Sequence, residues 1–275
     1  MVSRAPRLKK EFSMPHLTYR IDGAIATITL NNPPQNRLTI DLTASLEEAV
    51  AAISDSAARV LVVEAEGPDF SWGGDISFWP GAESGHLRSF FERFLTVVNR
   101  LERLPIPTIA AVQGLCLGGG FEIALRCDII IAERSAQFGH PEQSLAVTTL
   151  LGGVYRVAER AGRAFAADMA FTSVKVPAEE MQRRGVVNQV VDEGGLRDAV
   201  AAYAARMATG PTKAHAAHKA LLRIWALGGV QAADEALMDI SVPLFDTEDT
   251  QRALRSAVDS LAKGVPRPTL EFKNR

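Results

Sequence analysis

Short hydrophobic runs recur along the chain, separated by glycine-rich loops and amphipathic segments. Residues 60–63, 108–112 and 128–132 are almost continuously apolar, a pattern typical of strands buried on both faces of a sheet. After the first two, and less cleanly after the third, a glycine loop and a helical segment follow. Residues 186–191 predict one more strand, after a helix over 178–184. The pattern therefore predicts an α/β protein built from repeated strand–loop–helix units.

The pattern of the N-terminal part predicts a hairpin followed by a helix. Residues 17–20 and 24–30 alternate between apolar and polar side chains around Asp22-Gly23, which predicts two antiparallel strands joined by a tight turn. A period near 3.6 then predicts a helix over 41–53, capped by Asp41. Residues 1–13 are basic, lack the apolar core of a secretion signal, and are predicted to be a disordered extension.

From residue 196 onward the strands stop. The sequence predicts amphipathic helices over residues 196–207, 213–227, 230–238 and 247–263. A helical block without its own sheet must pack on the core or on another subunit. We therefore predict a core over 14–195 that carries the functional site, followed by a helical region over 196–275.

Composition narrows the classes of function. The chain has 275 residues and a net charge of −2, so no overall field attracts nucleic acid or an anionic membrane. Cys116 and Cys127 are too few for a disulfide framework or a zinc site, and both lie in apolar runs. No apolar run approaches the roughly 18 residues of a membrane span. These features predict a cytoplasmic protein that binds neither nucleic acid nor membrane.

Two glycine-rich loops follow predicted buried strands. Gly118-Gly119-Gly120 opens a helix, where backbone N–H groups lack internal partners and carry the positive end of the helix dipole. The loop over 70–76 also exposes backbone, at Gly73-Gly74. Two such loops on neighbouring strands can direct two N–H groups at one oxygen, which is the geometry of an oxyanion hole. A tight strand-to-helix turn that binds no ligand is the alternative for the glycine triplet.

Two glutamates accompany these loops. Glu122 lies at the start of the predicted helix among apolar neighbours, so burial would raise its pKa and poise it for proton transfer. Glu142 follows the next strand, and the two acids can converge to hold a water or to shuttle a proton. A helix-capping Glu122 and a solvent-exposed Glu142 are the structural alternatives. His140 is a candidate base, although a loop histidine beside a proline more often has a structural role.

Taken together, these motifs closely resemble the crotonase superfamily of enoyl-CoA hydratases and isomerases. The resemblance extends from about His16 to the C-terminus and is carried by residues 70–76, 107–114, 117–124, 127–129 and 138–142. It implies a crotonase-like spiral of ββα repeats with a C-terminal helical trimerisation region, assembled as a homotrimer or a dimer of trimers. It also implies an acyl-CoA thioester substrate, no separate cofactor and no metal, because coenzyme A is part of the substrate.

The resemblance assigns roles to individual residues. The N–H groups of Gly74 and Gly119 would hold the thioester oxygen. Glu122 and Glu142 would bind a water and deliver its elements across the α,β double bond. Further substrate-binding positions are Arg37, Trp72, Gly73, Asp75, Ile76, Gly118 and Leu150. An aromatic cluster either lines the acyl pocket or packs in the core, and comprises Phe78, Trp79, Phe90 and Phe91.

The chain departs from the family pattern at two places. Thr149-Leu150 stands where hydratases usually have Pro-Gly, and Leu150 keeps an N–H but adds bulk beside the water site. Ser77 stands where hydratases often carry a lysine near the nucleotide. Arg37 is a candidate to contact the nucleotide phosphates instead, although a solvated loop arginine is equally consistent.

Three interpretations of function stay open. The first is an enoyl-CoA hydratase that adds water across the 2,3 double bond of a 2-enoyl-CoA, and the retention of both glutamates favours it. The second keeps the oxyanion hole but performs isomerisation, thioester hydrolysis or decarboxylation, with Glu142 acting alone and Leu150 excluding the water. The third is a non-catalytic CoA-binding or scaffold protein.

Overall fold

Parallel strands form the centre of the protein, as the apolar runs predicted. The computed structural model describes residues 10–274. Its strands are β1 (Lys10–Met14), β2 (Leu17–Asp22), β3 (Ile25–Leu30), β4 (Val60–Ala65), β5 (Thr108–Val112), β6 (Leu115–Leu117), β7 (Ile129–Glu133), β8 (Gln137–Gly139), β9 (Val176–Pro177) and β10 (Gln189–Val191). A large sheet has the order β1-β2-β3-β4-β5-β7-β10, parallel from β3 onward, and a small sheet has the order β6-β8-β9.

Helices follow the strands and then take over the C-terminal third. They are α1 (Ile40–Ser54), α2 (Ser84–Glu102), α3 (Gly119–Ala124), α4 (Gly153–Ala161), α5 (Arg163–Thr172), α6 (Ala178–Arg183), α7 (Leu196–Ala208), α8 (Thr212–Ser241) and α9 (Glu248–Lys263), with 3-10 turns at Pro141–Leu145 and Val242–Asp246. Within the described chain, no helix combines the length and apolarity needed to cross a membrane.

A ββα unit repeats through the core. In β5-β6-α3 and in β7-β8-α4, the first strand joins the large sheet, the second joins the small sheet, and a helix follows. The segment from β4 to α2 follows the same plan, because Ser71 forms a parallel bridge to Cys116 of β6 in place of a second strand. The predicted recurrence of strand, glycine loop and helix is therefore confirmed.

Burial on both faces explains the continuous apolar runs. In β4, Leu61 and Val63 face the main core, whereas Val60 and Val62 pack on the opposite face against Val200 and other residues of α7. Successive side chains of a strand point to opposite faces, so a sheet covered on both sides requires apolar residues at consecutive positions.

Two expectations about the N-terminal part are wrong. Residues 10–13 were expected to be disordered, but they belong to β1, which pairs antiparallel with β2. Phe12 stacks on Tyr19 with ring centroids 4.8 Å apart, and this cross-strand contact stabilises the edge strand. Residues 1–9 lie outside the described residues. The cap of α1 is Thr39, whose Oγ1 accepts the Leu42 N–H, and not Asp41.

The helical region begins at α7, close to the predicted boundary. The two helices predicted over 213–227 and 230–238 are joined in α8, which is interrupted at Gly229 (φ 73°, ψ −169°). Only glycine adopts that backbone conformation readily. The interruption therefore lies between the two predicted helices, as expected. Periodicity did not identify α4 and α5, which meet at Gly162.

Candidate active site

The residues predicted to form the site all line one cavity of about 210 Å³. The sequence placed them on separate loops, and the fold brings those loops to a single wall. They are Arg37, Trp72, Gly73, Gly74, Asp75, Ile76, Gly118, Gly119, Glu122, Glu142 and Leu150. Sequence reasoning missed other lining residues, chiefly Leu38, Phe94, Leu117, Ser144, Leu145 and Leu151. Most of these are apolar side chains that no local motif marks.

Backbone hydrogen bonds join the two glycine loops. Ser71 N–H donates to Leu115 O at 3.0 Å, and Leu117 N–H donates to Ser71 O at 2.9 Å. A Cβ added at Gly73 would lie 3.3 Å from the Gly119 nitrogen, so the two backbones are in contact. The predicted pairing of the loops on neighbouring strands is confirmed.

Two N–H groups are left at this junction. Gly73 N–H donates to Ser71 Oγ, and Asp75 N–H donates to Leu38 O. Between them, the N–H of Gly74 has no acceptor among the described residues. Gly119 is the first residue of α3, where the N–H has no intrahelical acceptor. The Gly74 nitrogen lies 3.7 Å from the position of a Cβ on Gly119, so the two donors are adjacent.

The glycine triplet is required for three different reasons. Gly118 has a φ of +49°, and a Cβ there would lie 3.0 Å from Glu142 Oε1. A Cβ on Gly119 would lie 2.8 Å from Leu38 Cδ1, and one on Gly120 would lie 2.5 Å from Ser71 Cβ. At each of the three positions, a neighbouring loop or a cavity residue comes too close to leave room for a side chain. A simple strand-to-helix turn would not require glycine at all three.

Glu122 is buried with only 2% of its surface exposed. Its Oε1 accepts two hydrogen bonds at 2.8 Å, from the N–H groups of Leu151 and Gly153. Burial raises the pKa of the carboxyl, whereas these two hydrogen bonds and the charges of Arg126 and Arg156 lower it. Because the carboxylate binds a distant loop, the helix-capping alternative for Glu122 is wrong.

An ion-pair cluster lies behind this loop. The Arg126 side chain is 0% exposed and pairs with Glu102 at 2.7 Å, and it also donates to Leu151 O and Asn99 Oδ1. Arg156 pairs with the same carboxylate at 2.7 Å. The Leu151 peptide is therefore held from both ends, by Arg126 at its own carbonyl and by Glu122 at its N–H. Sequence reasoning gave no role to Arg126, Glu102 or Arg156.

Glu142 faces the cavity from the 3-10 turn that follows β8. Its side chain is 13% exposed, so the solvent-exposed alternative is wrong. Burial raises its pKa to about 7, and the neighbouring charge of Glu122 adds to this rise. Oε2 is buried and has no hydrogen-bond partner in the described chain. The two acids therefore line the same cavity but differ in their hydrogen bonding.

The raised pKa of Glu142 predicts that the protein becomes less stable as the pH rises. Between pH 4.5 and about 7 the folded protein keeps a proton on Glu142 that the unfolded chain has released. Stability is therefore lost as pH rises through this window, by about 3 kcal/mol for this group. Glu142→Gln cannot ionise and should be more stable than the wild type at pH 8 but not at pH 4, as measured by urea unfolding.

The control for this measurement is Glu180→Gln, at a partly exposed glutamate of α6 outside the cavity. Its carboxyl is hydrogen-bonded to Arg183 and Arg184, which lower its pKa. This variant should keep the wild-type decline in stability between pH 4 and pH 8. A decline of wild-type size in Glu142→Gln would show that the Glu142 carboxyl ionises normally in the folded protein.

His140 is a buried histidine between the two acids. Its ring packs on Phe121 with centroids 5.0 Å apart, and burial lowers its pKa to about 4. It is therefore neutral near pH 7. Neither ring nitrogen has a partner among the described residues.

An aromatic wall closes the other side of the cavity. Trp79, Phe90 and Phe91 line it as predicted, but Phe78 does not, and Phe94 takes its place. Phe78 instead packs edge-on against Phe90, with centroids 5.4 Å apart. The wall is hydrophobic and suits an apolar acyl chain.

The remaining predicted residues sit at the edges of the cavity. Arg37 donates to the Gly74 carbonyl at 3.2 Å and lies 5.9 Å from the Trp72 ring centroid. Asp75 Oδ1 accepts the Ser77 N–H at 3.0 Å. Residues 10–274 contain no group of three His, Cys, Asp or Glu side chains placed to hold a metal ion.

Known proteins share these features over almost the whole chain. The model of the enoyl-CoA hydratase/isomerase family matches residues 20–258. The short-chain-enoyl-CoA hydratase of Clostridium acetobutylicum is 32% identical over 92% of this chain and 96% of its own. The crotonyl-CoA hydratase of Syntrophomonas wolfei is 34% identical over 66% of this chain and 72% of its own.

Solved structures agree with the sequence comparison. The structure of an enoyl-CoA hydratase from Geobacillus kaustophilus superposes with a TM-score of 0.89 at 25% identity, covering 98% of this chain and 100% of that one. Pseudomonas aeruginosa DspI superposes with a TM-score of 0.85 at 31% identity, covering 93% and 97%. With its ββα repeats, its paired glycine loops and its C-terminal helices, this chain belongs to the enoyl-CoA hydratase/isomerase family of the crotonase superfamily.

Proposed function

We propose that the protein is an enoyl-CoA hydratase that adds water across the 2,3 double bond of a 2-enoyl-CoA. The observation that carries this proposal is that one cavity is lined by Glu122, by Glu142 and by two glycines whose N–H groups have no acceptor among the described residues. The names of the relatives from Clostridium and Syntrophomonas, both hydratases, support the same reaction.

The two N–H groups stabilise the charge that develops on the substrate. When hydroxide adds to Cβ of an enoyl thioester, negative charge moves to the thioester oxygen. The N–H groups of Gly74 and Gly119 are adjacent and unpaired, and they hold that oxygen. Removal of one such donor in other enzymes costs about 10² to 10³ in rate.

The two glutamates divide the proton transfers. Glu122 takes a proton from water as the oxygen bonds to Cβ, and Glu142 gives a proton to Cα as the charge returns from the thioester oxygen. Burial raises the pKa of both carboxyls, but two N–H donors and two arginine charges oppose that rise at Glu122, whereas the charge of Glu122 adds to it at Glu142. Acids whose surroundings separate their pKa values in this way suit one base and one acid. A proton exchange with solvent restores both.

Leu150 favours a second candidate, isomerisation of an enoyl-CoA. Leu150 lines the same cavity as the two acids, and its side chain adds bulk that the glycine of a hydratase does not have. In that reaction Glu142 alone moves a proton between two carbons, and no water is added.

The test is an assay of the purified protein with short- and medium-chain 2-enoyl-CoAs. Hydration removes the conjugated thioester absorbance and adds the mass of one water to the product. The expected result is loss of absorbance with that mass gain for at least one chain length. A shifted double bond at unchanged mass establishes the isomerase, and binding of CoA esters without turnover overturns both.

The substrate and the assembly complete the proposal. The aromatic wall and the cavity fit the acyl part of an acyl-CoA, with Arg37 at the edge as the candidate for the nucleotide phosphates. The homotrimer or dimer of trimers and the cytoplasmic location remain predictions. Exposed apolar side chains on α8 and α9, among them Leu222, Leu227 and Leu261, are consistent with a subunit interface.

A further inference from the structure

Besides Trp79 Nε1 on the aromatic wall, three neighbouring buried polar atoms beside the cavity have no hydrogen-bond partner in the described chain. They are Nδ1 and Nε2 of His140 and Oε2 of Glu142. Buried polar side-chain atoms are paired in the large majority of cases, so an exception calls for an explanation. These atoms belong to residues two positions apart, at the point where the chain leaves β8 for the 3-10 turn.

The geometry leaves the two side chains facing one another. His140 Nδ1 lies 3.8 Å from Glu142 Oε2, which is about one ångström beyond a hydrogen bond. The imidazole is fixed by its surroundings, since Phe121 packs on its face and a Cβ added at Gly153 would lie 2.4 Å from its Cε1. With the ring in place, a hydrogen bond requires the Glu142 carboxyl oxygen to move by about 1 Å.

We infer that His140 is a positioning residue for Glu142, donating a hydrogen bond from Nδ1–H to Oε2 so that Oε1 faces Gly118 and the cavity. A Cβ on Gly118 would lie 3.0 Å from that Oε1, so the second oxygen already points to the glycine loop. The role in turnover rests on the proposed hydratase function, but the hydrogen bond itself does not.

The charges around this pair decide its protonation. Glu122 from α3 is the acid that faces Glu142, and Arg126 and Arg156 lie behind Glu122. Burial keeps His140 neutral down to about pH 4, so the ring carries one N–H and no charge. A neutral Nδ1–H donor stabilises the Glu142 carboxylate that remains after the proton has moved to Cα.

The first experiment compares pH profiles of kcat in His140→Leu and His140→Asn. Leucine removes the donor. The limb of the kcat profile that reports the ionisation of Glu142 should therefore move up by about one to two pH units, which corresponds to the free energy of one charge-assisted hydrogen bond. Asparagine offers an N–H near the position of Nδ1 and should restore the wild-type limb. A purely structural histidine would change the stability or kcat of both variants and leave the limb in place.

The matched control is His215→Leu. His215 also has a buried Nδ1 without a partner in the described chain, but it belongs to α8 and does not line the cavity. Its removal should leave the pH profile unchanged. An unshifted limb in His140→Leu, or an equal shift in all three variants, overturns the inference.

A second experiment needs neither a variant nor activity. In protein labelled with ¹⁵N-histidine, the chemical shifts of neutral imidazoles distinguish an Nδ1–H ring from an Nε2–H ring. Of the five histidines, the one that resists protonation down to about pH 4 should carry its proton on Nδ1 at pH 8. A proton on Nε2 overturns the inference. A protein that has the Nδ1–H ring but does not hydrate any enoyl-CoA would contradict the proposed function and leave the inference about His140 intact.

Discussion

Glu122→Gln is expected to lower kcat for hydration about 100- to 10,000-fold, the range supplied by a general base. Glutamine keeps the carbonyl oxygen that accepts the N–H groups of Leu151 and Gly153, so the loop should stay in place. It cannot take a proton from water. Steady-state kinetics on the enoyl-CoA that the wild type hydrates best would measure the loss, and urea unfolding would show that the fold is retained.

The matched control is again Glu180→Gln, at the partly exposed glutamate of α6 outside the cavity, which should keep wild-type kinetics. Glu142→Gln is expected to lose activity to a similar degree, since one acid cannot replace the other in a reaction that moves two protons. If Glu122→Gln retained more than a tenth of wild-type kcat, Glu122 would not be the base. Full loss in Glu142→Gln alone would instead favour isomerisation.

Arg126→Met is expected to lower the free energy of unfolding by about 1.5 to 3 kcal/mol, because it removes buried charged hydrogen bonds while Glu102 keeps its pair with Arg156. Arg126 is 0% exposed and pairs with Glu102, and it also holds Leu151 O. Methionine fills much of the same volume, so the loss reflects charge and hydrogen bonds more than a cavity. Urea unfolding at pH 7 measures it.

An exposed arginine provides the comparison. Arg88 of α2 pairs with Glu92 at 2.7 Å, but their side chains are 78% and 60% exposed. Such surface pairs contribute about 0 to 1 kcal/mol, so Arg88→Met should be nearly neutral. Equal losses in Arg88→Met and Arg126→Met would mean that the buried cluster contributes no more than a surface pair.

The features that the sequence predicted correctly share one property: each depends on residues that are close together in the chain. Val60 to Val63 are apolar at consecutive positions since both faces of β4 are covered. Asp22-Gly23 forms the hairpin turn between β2 and β3. Gly229 interrupts α8 where two helices had been predicted. The glycine loops and both glutamates were identified from their own motifs, and they line one cavity.

By itself, then, the sequence determined the strand–loop–helix units, the family resemblance and the glycine loops and glutamates of the cavity. Only the tertiary structure decided what those residues contact. Glu122 is bound by Leu151 and Gly153, about 30 positions away, and Arg126, in the turn after α3, meets Glu102 at the end of α2. His140 is buried because α3 and the loop at Gly153 close over it. Local patterns carry no signal for such pairings, since the free energy that selects them comes from burial between distant segments.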